Sequence, residues 1–378
     1  MNSKSELLIN ATSTPLASIF GSGFLVIVPI LAGAVGVYAV VAMAGVCTLA
    51  YAVGSVIRYN IAHAEPILAN NPPESTLSLE RASDLALVLA YVISVCLYLH
   101  ILSSFVLGSF DIDTELNENL LTTAIIVFIM VIGLTRGLDE LEGMEKWGLY
   151  ITLLIILLLV FGFAYYDLTA SRSDSGITLF TATTHTSWER LTIVAGTLIV
   201  VQGFETTRYL GNDYETNVRI SASRWSQIIS TIVYLIFIAV ALPLVHSLNG
   251  QYDDNSLIKL AGVASSLLIA PLVIAAAMSQ FSAAVADTLA ATGNMEEITN
   301  KHLKAKFGTI LVGGGAIALS WSADTLEILA LASRAFAFYY MMQCLVAMTV
   351  SKSAAQRIGM LAIAIILGFI TIFAVPAS

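Results

Sequence analysis

Of 378 residues, 57% are hydrophobic and only 11% are charged, with a mean hydropathy of +0.85; soluble globular chains carry roughly a quarter charged residues, so that class is excluded. The net charge of −9 comes from acids gathered in the connections between apolar runs, and it points to no nucleic-acid partner. Cys47, Cys96 and Cys344 each lie within an apolar run, which makes them packing residues rather than a disulfide or zinc framework.

The segment Met1 to Asn10 is polar and has no basic region leading into a cleavable apolar core, so the first apolar run is expected to serve as its own insertion signal. A bilayer core of about 30 Å needs roughly 20 apolar residues per helix. On that measure the chain is an all-α membrane protein with about eleven spans, at 13–34, 36–58, 84–110, 119–135, 147–167, 190–211, 225–248, 262–290, 307–322, 325–349 and 357–375.

The first span contains Gly21-Ser22-Gly23, followed by Pro29. After the second comes the stretch from Asn60 to Glu80, with Pro66, Pro72 and Pro73; its Ile67 and Leu68 suit a segment lying on the membrane surface. His100 lies in the third span, and Asp111, Asp113, Glu115 and Glu118 form an acidic connection behind it. Residues 168–188, rich in Ser and Thr, read as a cover or a plain linker. The sixth span holds a second interruption, Gln202-Gly203-Phe204-Glu205, with Arg208 three residues further on. Pro243 and Pro271 are expected to kink the seventh and eighth spans. The eighth also carries Ser279, Ser282 and Asp287, and the tenth carries Arg334.

Basic residues orient the chain. With the N-terminus inside, Lys4, Arg58, Arg81, Arg136, Lys146, Arg219, Arg224, Lys301, Lys304, Lys306, Lys352 and Arg357 are internal, twelve in all, against three outside, Arg172, Arg190 and Lys259. This bias places the chain in the cytoplasmic (inner) membrane with the C-terminus outside. Five spans then precede the sixth, so the first and sixth cross in opposite senses. The expected organisation is a 5+5 inverted repeat, residues 1–168 and 189–350, with residues 351–378 as an added span.

Inside hydrocarbon every opened backbone group needs a partner, so a broken helix persists only where it lines an enclosed site. At such a break one half presents amides with partial positive charge and the other presents carbonyls. Amides attract a carboxylate and carbonyls attract a cation. Gly21, Ser22, Gly23, Gln202, Gly203, Phe204 and Glu205 are therefore the candidate substrate-binding residues, with close helix packing by the glycines as the alternative. A carboxylate at mid-bilayer depth marks an ion, proton or substrate path, which makes Glu205 the candidate proton carrier; a purely structural Glu205–Arg208 pair is the alternative. Ser279 and Ser282 share a helix face and offer hard oxygen ligands for Na⁺, although membrane serines also bond back to their own helix.

Gly21-Ser22-Gly23 with Pro29, and Gly203-Phe204-Glu205 ahead of a polar loop, resemble the amino acid, polyamine and organocation (APC) transporter superfamily. That resemblance implies the leucine-transporter fold, in which spans one, two, six and seven rock against a scaffold of three, four, eight and nine. It also implies that the eighth-span hydroxyls of Ser279 and Ser282 join carbonyls of the first break in a sodium site.

No phosphate-binding Gly-x-x-x-x-Gly-Lys-Ser/Thr sequence and no His-Glu-x-x-His occur, which argues against an ATP-driven pump and against an intramembrane metalloenzyme. The expected function is secondary transport of a small amino acid or related amine across the lipid bilayer, coupled to H⁺ or Na⁺. A sensor or channel on the same fold, or a carrier of another solute such as a nucleobase, is the alternative.

Overall fold

Apolar runs surrounded by hydrocarbon must close their backbone hydrogen bonds internally, and every regular element among the described residues is helical. The computed structural model describes residues 4–21, 23–70, 72–135, 144–170, 185–299 and 302–377. Ser22 and most of the Ser/Thr-rich stretch, residues 171–184, fall outside them.

The chain begins with α1 (Lys4–Gly21) and α2 (Phe24–Val35), separated at Gly23. Gly36, at φ 58°, turns the chain into α3 (Ala39–Tyr59), which packs against α2. A π-helical turn, Asn60–Ala64, and one helical turn, Glu65–Leu68, lead to α4 (Glu74–Gly108). Next come α5 (Glu115–Thr135), α6 (Met144–Ala170) and the short α7 (Ser187–Ala195). Two 3₁₀ segments, Leu198–Val201 and Phe204–Asn212, precede α8 (Thr216–Ala241) and a third, Leu242–Leu248. The remainder is α9 (Ser256–Ala264), α10 (Ile269–Ile298), α11 (Ala305–Ser320), α12 (Thr325–Val350) and α13 (Ala354–Phe373).

Eight helical stretches among the described residues are long and apolar enough to cross a membrane, while α11 is apolar but shorter. Residues 13–34 and 190–211 differ from simple spans because each is made of short pieces. The second of these opens twice, at Gly196–Thr197 as well as at Gln202–Gly203, where one interruption was expected. Pro243 lies where α-helix gives way to 3₁₀ within the helical stretch Thr216–Leu248, and Pro271 lies in the first turn of α10, just after the 3₁₀ turn Ser266–Leu268.

Packing follows two groupings. The 35-residue α4 runs through the interior and packs most extensively on α10 and α12, with α5 and α11 alongside. Helices α1 and α3 instead pack on α8. The broken segments lie where these groups meet: the Leu198–Val201 turn contacts α1, α3 and α12.

Gly23 and Gly203 have φ of 144° and 123°, a region that side-chain-bearing residues rarely adopt. A Cβ at Gly203 would also lie 2.7 Å from the Ile19 amide nitrogen and the Ser18 Oγ. Gly203→Ala should therefore lower the melting temperature of the purified protein by the equivalent of at least about 1–2 kcal/mol, the cost of the backbone conformation alone. An unchanged melting temperature would show that the two breaks do not touch as described.

Candidate functional site

The two interruptions face one another. Gly23 packs beside Val200, where a Cβ would come within 3.1 Å of the valine Cγ2, and Gly203 packs against Ser18 and Ile19. One hydroxyl bridges them: Tyr234, fully buried on α8, shares its O–H between the carbonyls of Ile19 (3.0 Å) and Val200 (2.8 Å). The opening at Gly196–Thr197 is held from α12, where Ser333 Oγ donates to the Gly196 carbonyl (2.6 Å) and accepts from the Ile199 N–H (3.0 Å). Backbone groups released by broken helices thus find side-chain partners on neighbouring helices, the condition for such breaks inside a membrane.

Glu205 is the second residue of the 3₁₀ segment after Gly203 and is wholly buried. Its Oε2 accepts from the Gly203 N–H (2.8 Å) and from the Tyr340 hydroxyl (2.7 Å). The other oxygen, Oε1, has no hydrogen-bond partner among the described residues. An unpaired buried acceptor costs about 1–3 kcal/mol, more when charged, so this atom requires explanation. Phe204 stacks on Tyr340 with centroids 5.2 Å apart, and Gln202 Nε2 donates to the Tyr98 hydroxyl (3.0 Å).

A cavity of about 510 Å³ lies near the breaks. Phe20, Tyr91 and Thr206 line it, as do Glu297 and the exposed Asp213 and Tyr209. Ser279 and Ser282 of α10 line it together with Thr152 of α6. The Thr152 hydroxyl is buried without a hydrogen-bond partner among the described residues. Gly148, one turn from Thr152, lets α6 approach Ser282, whose Cβ would lie 3.4 Å from a Cβ added there. Asp287 also lines the cavity and accepts a hydrogen bond from Ser94 of α4. Gln202, Gly203, Phe204 and Glu205 do not line the cavity, and Gly21 packs on Ala283 of its wall. Ser22 lies outside the described residues.

The Glu205–Arg208 pair offered as an alternative does not form. Arg208 turns from Glu205 to Glu80 (2.6 Å, side chains 9% and 11% exposed) and approaches Glu65 at 3.8 Å. Arg219 of α8 also engages Glu65 (2.6 Å), and it donates to the Arg208 carbonyl (3.1 Å) near the end of the 3₁₀ segment. Gln343 of α12 donates to Glu80 (3.2 Å) and to Ser83 (2.8 Å), and Asn60 donates to Gln343 Oε1 (2.8 Å). This network ties the segment after the sixth-span break to α4, α8, α12 and the end of α3.

His100 and Arg334 have structural settings. His100 Nε2 meets Ser320 Oγ at 2.8 Å between α4 and α11, and Arg334 bonds the carbonyls of Thr371 (2.8 Å) and Ile372 (3.1 Å) at the end of α13. Tyr234 and Glu80 escape sequence reasoning because partners such as Ile19 and Arg208 are 215 and 128 residues distant; only their polarity within or beside apolar runs marks them.

A profile of the APC superfamily transporter family matches residues 2–374. The chain belongs to that family: it is a membrane transporter, not an enzyme. An uncharacterized protein of Aquifex aeolicus strain VF5 is 39% identical over 368 residues, covering 95% of this chain and 89% of its own. Among solved structures, the manganese transporter of Eremococcus coleocola in complex with an aromatic bis-isothiourea compound superposes with a TM-score of 0.57 at 13% identity, covering 97% of this chain and 86% of its own. A mutant of the same transporter gives 0.55 at 14% identity with the same coverage. At this identity the likeness concerns the fold.

Removing one partner from a buried ion pair costs about 3–5 kcal/mol. Glu80→Ala should destabilise the purified protein by about 3 kcal/mol in a detergent melt, and adding Arg208→Met should recover much of that loss. Equal stability of wild type and Glu80→Ala would show that the pair carries little.

Proposed function

We propose that this chain is a secondary active transporter that moves a small amino acid or related amine across the cytoplasmic membrane by alternating access. The observation that carries the reading is the pair of buried helix breaks, in contact with each other, with Phe20 and Thr206 close by in sequence on the wall of a 510 Å³ cavity. The backbone around Gly21, Ser22 and Gly23 and around Gln202, Gly203, Phe204 and Glu205 would cradle the solute, amides toward a carboxylate and carbonyls toward an amine.

The leucine-transporter organisation belongs to the same proposal: repeats over 1–168 and 189–350, with 351–378 added, the N-terminus inside and the C-terminus outside. The grouping of α1, α3 and α8, set against α4, α5, α10 and α11, supports a bundle that moves relative to a scaffold. With that orientation the cavity opens to the cytoplasm.

Two coupling ions are compatible with the site. Glu205 is the proton carrier of one route, supported by its burial and by the absence of a cationic partner among its described contacts. Ser279 and Ser282 are the Na⁺ ligands of the other, supported by the unpartnered Thr152 hydroxyl on the same cavity wall. Manganese, named for the structural neighbour, is disfavoured as cargo: no group of three His, Cys, Asp or Glu side chains among the described residues is arranged to hold a metal ion.

Counterflow into proteoliposomes tests the reading, after a thermal-shift screen of amino acids, amines and nucleobases with and without Na⁺. Saturable exchange is expected. Ungated flux would mean a channel, binding without flux a sensor, and a hit confined to nucleobases would replace the substrate class. Glu205→Gln should abolish the pH dependence of uptake; a mutant with the wild-type pH profile would remove Glu205 from coupling.

A further inference from the structure

The short helix α9 is fastened across the two packing groups at a distance from the cavity. It packs on α2, α6 and α10, and Tyr252, just before it, lies against Gly33 of α2, where an added Cβ would come within 2.9 Å of the ring. Side chains of the turn that precedes α9 tie it to the corner between α4 and α5. Ser104 of α4, fully buried, donates to Asp254 Oδ1 (2.7 Å), and Asn255 Nδ2 donates to Asp113 Oδ2 (2.5 Å). Thr325, the first residue of α12, bonds the Asp254 carboxyl as well. At 1.5 Å per residue, Ser104 stands about 20 Å further along α4 than Tyr91 of the cavity wall.

The charges at this corner are nearly all negative. Glu118 of α5 stands close enough to bond the Ser104 hydroxyl and to feel the charge of Asp254, and Asp113 and Glu115 bear on it too. Asp253 adjoins Asp254 and holds Lys259 at 3.1 Å, an exposed pair. Asp324, beside Thr325, is taken up with Glu327 in capping α12. Among the described residues neither Glu118 nor Asp254 makes an ion pair. The Ser104 hydroxyl has one proton to give, so two carboxylates gathered at it repel when both are charged, and a proton held between them removes the repulsion. Burial holds the Asp254 carboxyl above the ordinary range of an aspartate.

Resting on the transport reading, we infer that Asp254 and Glu118 form a proton-dependent clasp between α9 and the α4–α5 corner, closed while they hold a proton between them and released when both are charged. Alternating access requires this end of the molecule to open in its turn, and α9 cannot leave the corner without parting Asp254 from Ser104 and Asn255 from Asp113. The direction follows from linkage. Once the clasp opens, water surrounds both carboxylates and their proton affinity returns to normal. The closed form therefore binds the proton more tightly, is favoured at acidic pH, and is lost as pH rises above the ordinary carboxylate range through the raised value. With the N-terminus inside, the clasp faces the external medium and responds to its pH.

The test reads the clasp as a distance, by pulsed electron resonance between spin labels at Val263→Cys on α9 and Leu116→Cys on α5, both exposed positions, in full-length protein that also carries Cys47→Ala, Cys96→Ala and Cys344→Ala. No solute is added. Between pH 5 and pH 8 the population at longer distance should grow at least fivefold. Adding Glu118→Gln with Asp254→Asn should hold the short distance over the whole range, while adding Lys259→Met should leave the titration where it was. A distance distribution that is the same at both pH values, a double variant that titrates as its parent does, or a titration abolished by Lys259→Met would overturn the inference. Because the distance is read without flux, a carrier whose clasp does not titrate fails here yet passes counterflow, whereas a sensor with this clasp titrates without transporting.

Discussion

The centre of this molecule depends on contact between two interrupted helices, close enough that Gly203 touches Ser18 and Ile19 and one tyrosine hydroxyl serves a carbonyl from each. Neither interruption is stable alone, because hydrocarbon offers no water to opened amides and carbonyls. Tyr234 and Ser333 supply what water would, from helices that pack against the breaks. A side chain at position 203 would push the segments apart, and separated breaks could not share Tyr234. Glycine and tyrosine at these places are thus one device, which keeps polar backbone in the interior without exposing it to lipid.

Two charges on one short helical segment have opposite settings. Arg208 points into a lattice with Glu80, Glu65, Arg219 and Gln343 that fastens its end of the segment to four neighbouring elements. Glu205, a turn away, receives only neutral donors, an amide N–H and a tyrosine O–H. A carboxylate beside a guanidinium is neutralised permanently, whereas one held by neutral donors remains sensitive to whatever arrives next to it. Commitment of Arg208 elsewhere therefore leaves Glu205 without a cationic partner among the described residues.

Much of this was legible in the residues themselves. Apolar runs of helical length give the all-helical membrane class, and Gly21, Gly23, Gly203 and Glu205 mark the interruptions, since glycine and acid in hydrocarbon need a local reason. The partners were not legible. Glu205 and Arg208 sit three residues apart and read as a pair, yet 3₁₀ geometry after Gly203 and the presence of Glu80 on α4 separate them. The second opening at Gly196 also escaped, because its support comes from Ser333, 137 residues away. The serines of α10 lie on the cavity wall, as their spacing on one helix face suggests, whereas Gln202 to Glu205 do not line it.

The resemblance in shape to a manganese transporter at 13% identity shows which features a fold of this kind requires. Shape is fixed by where spans begin, where they break and which small residues allow close approach, and these tolerate wide substitution. At the sixth-span break one carboxylate, with one oxygen already engaged, is surrounded by amide and phenol groups and by aromatic rings. The fold thus persists through wide sequence change, because breaks and close approaches of the backbone fix its shape.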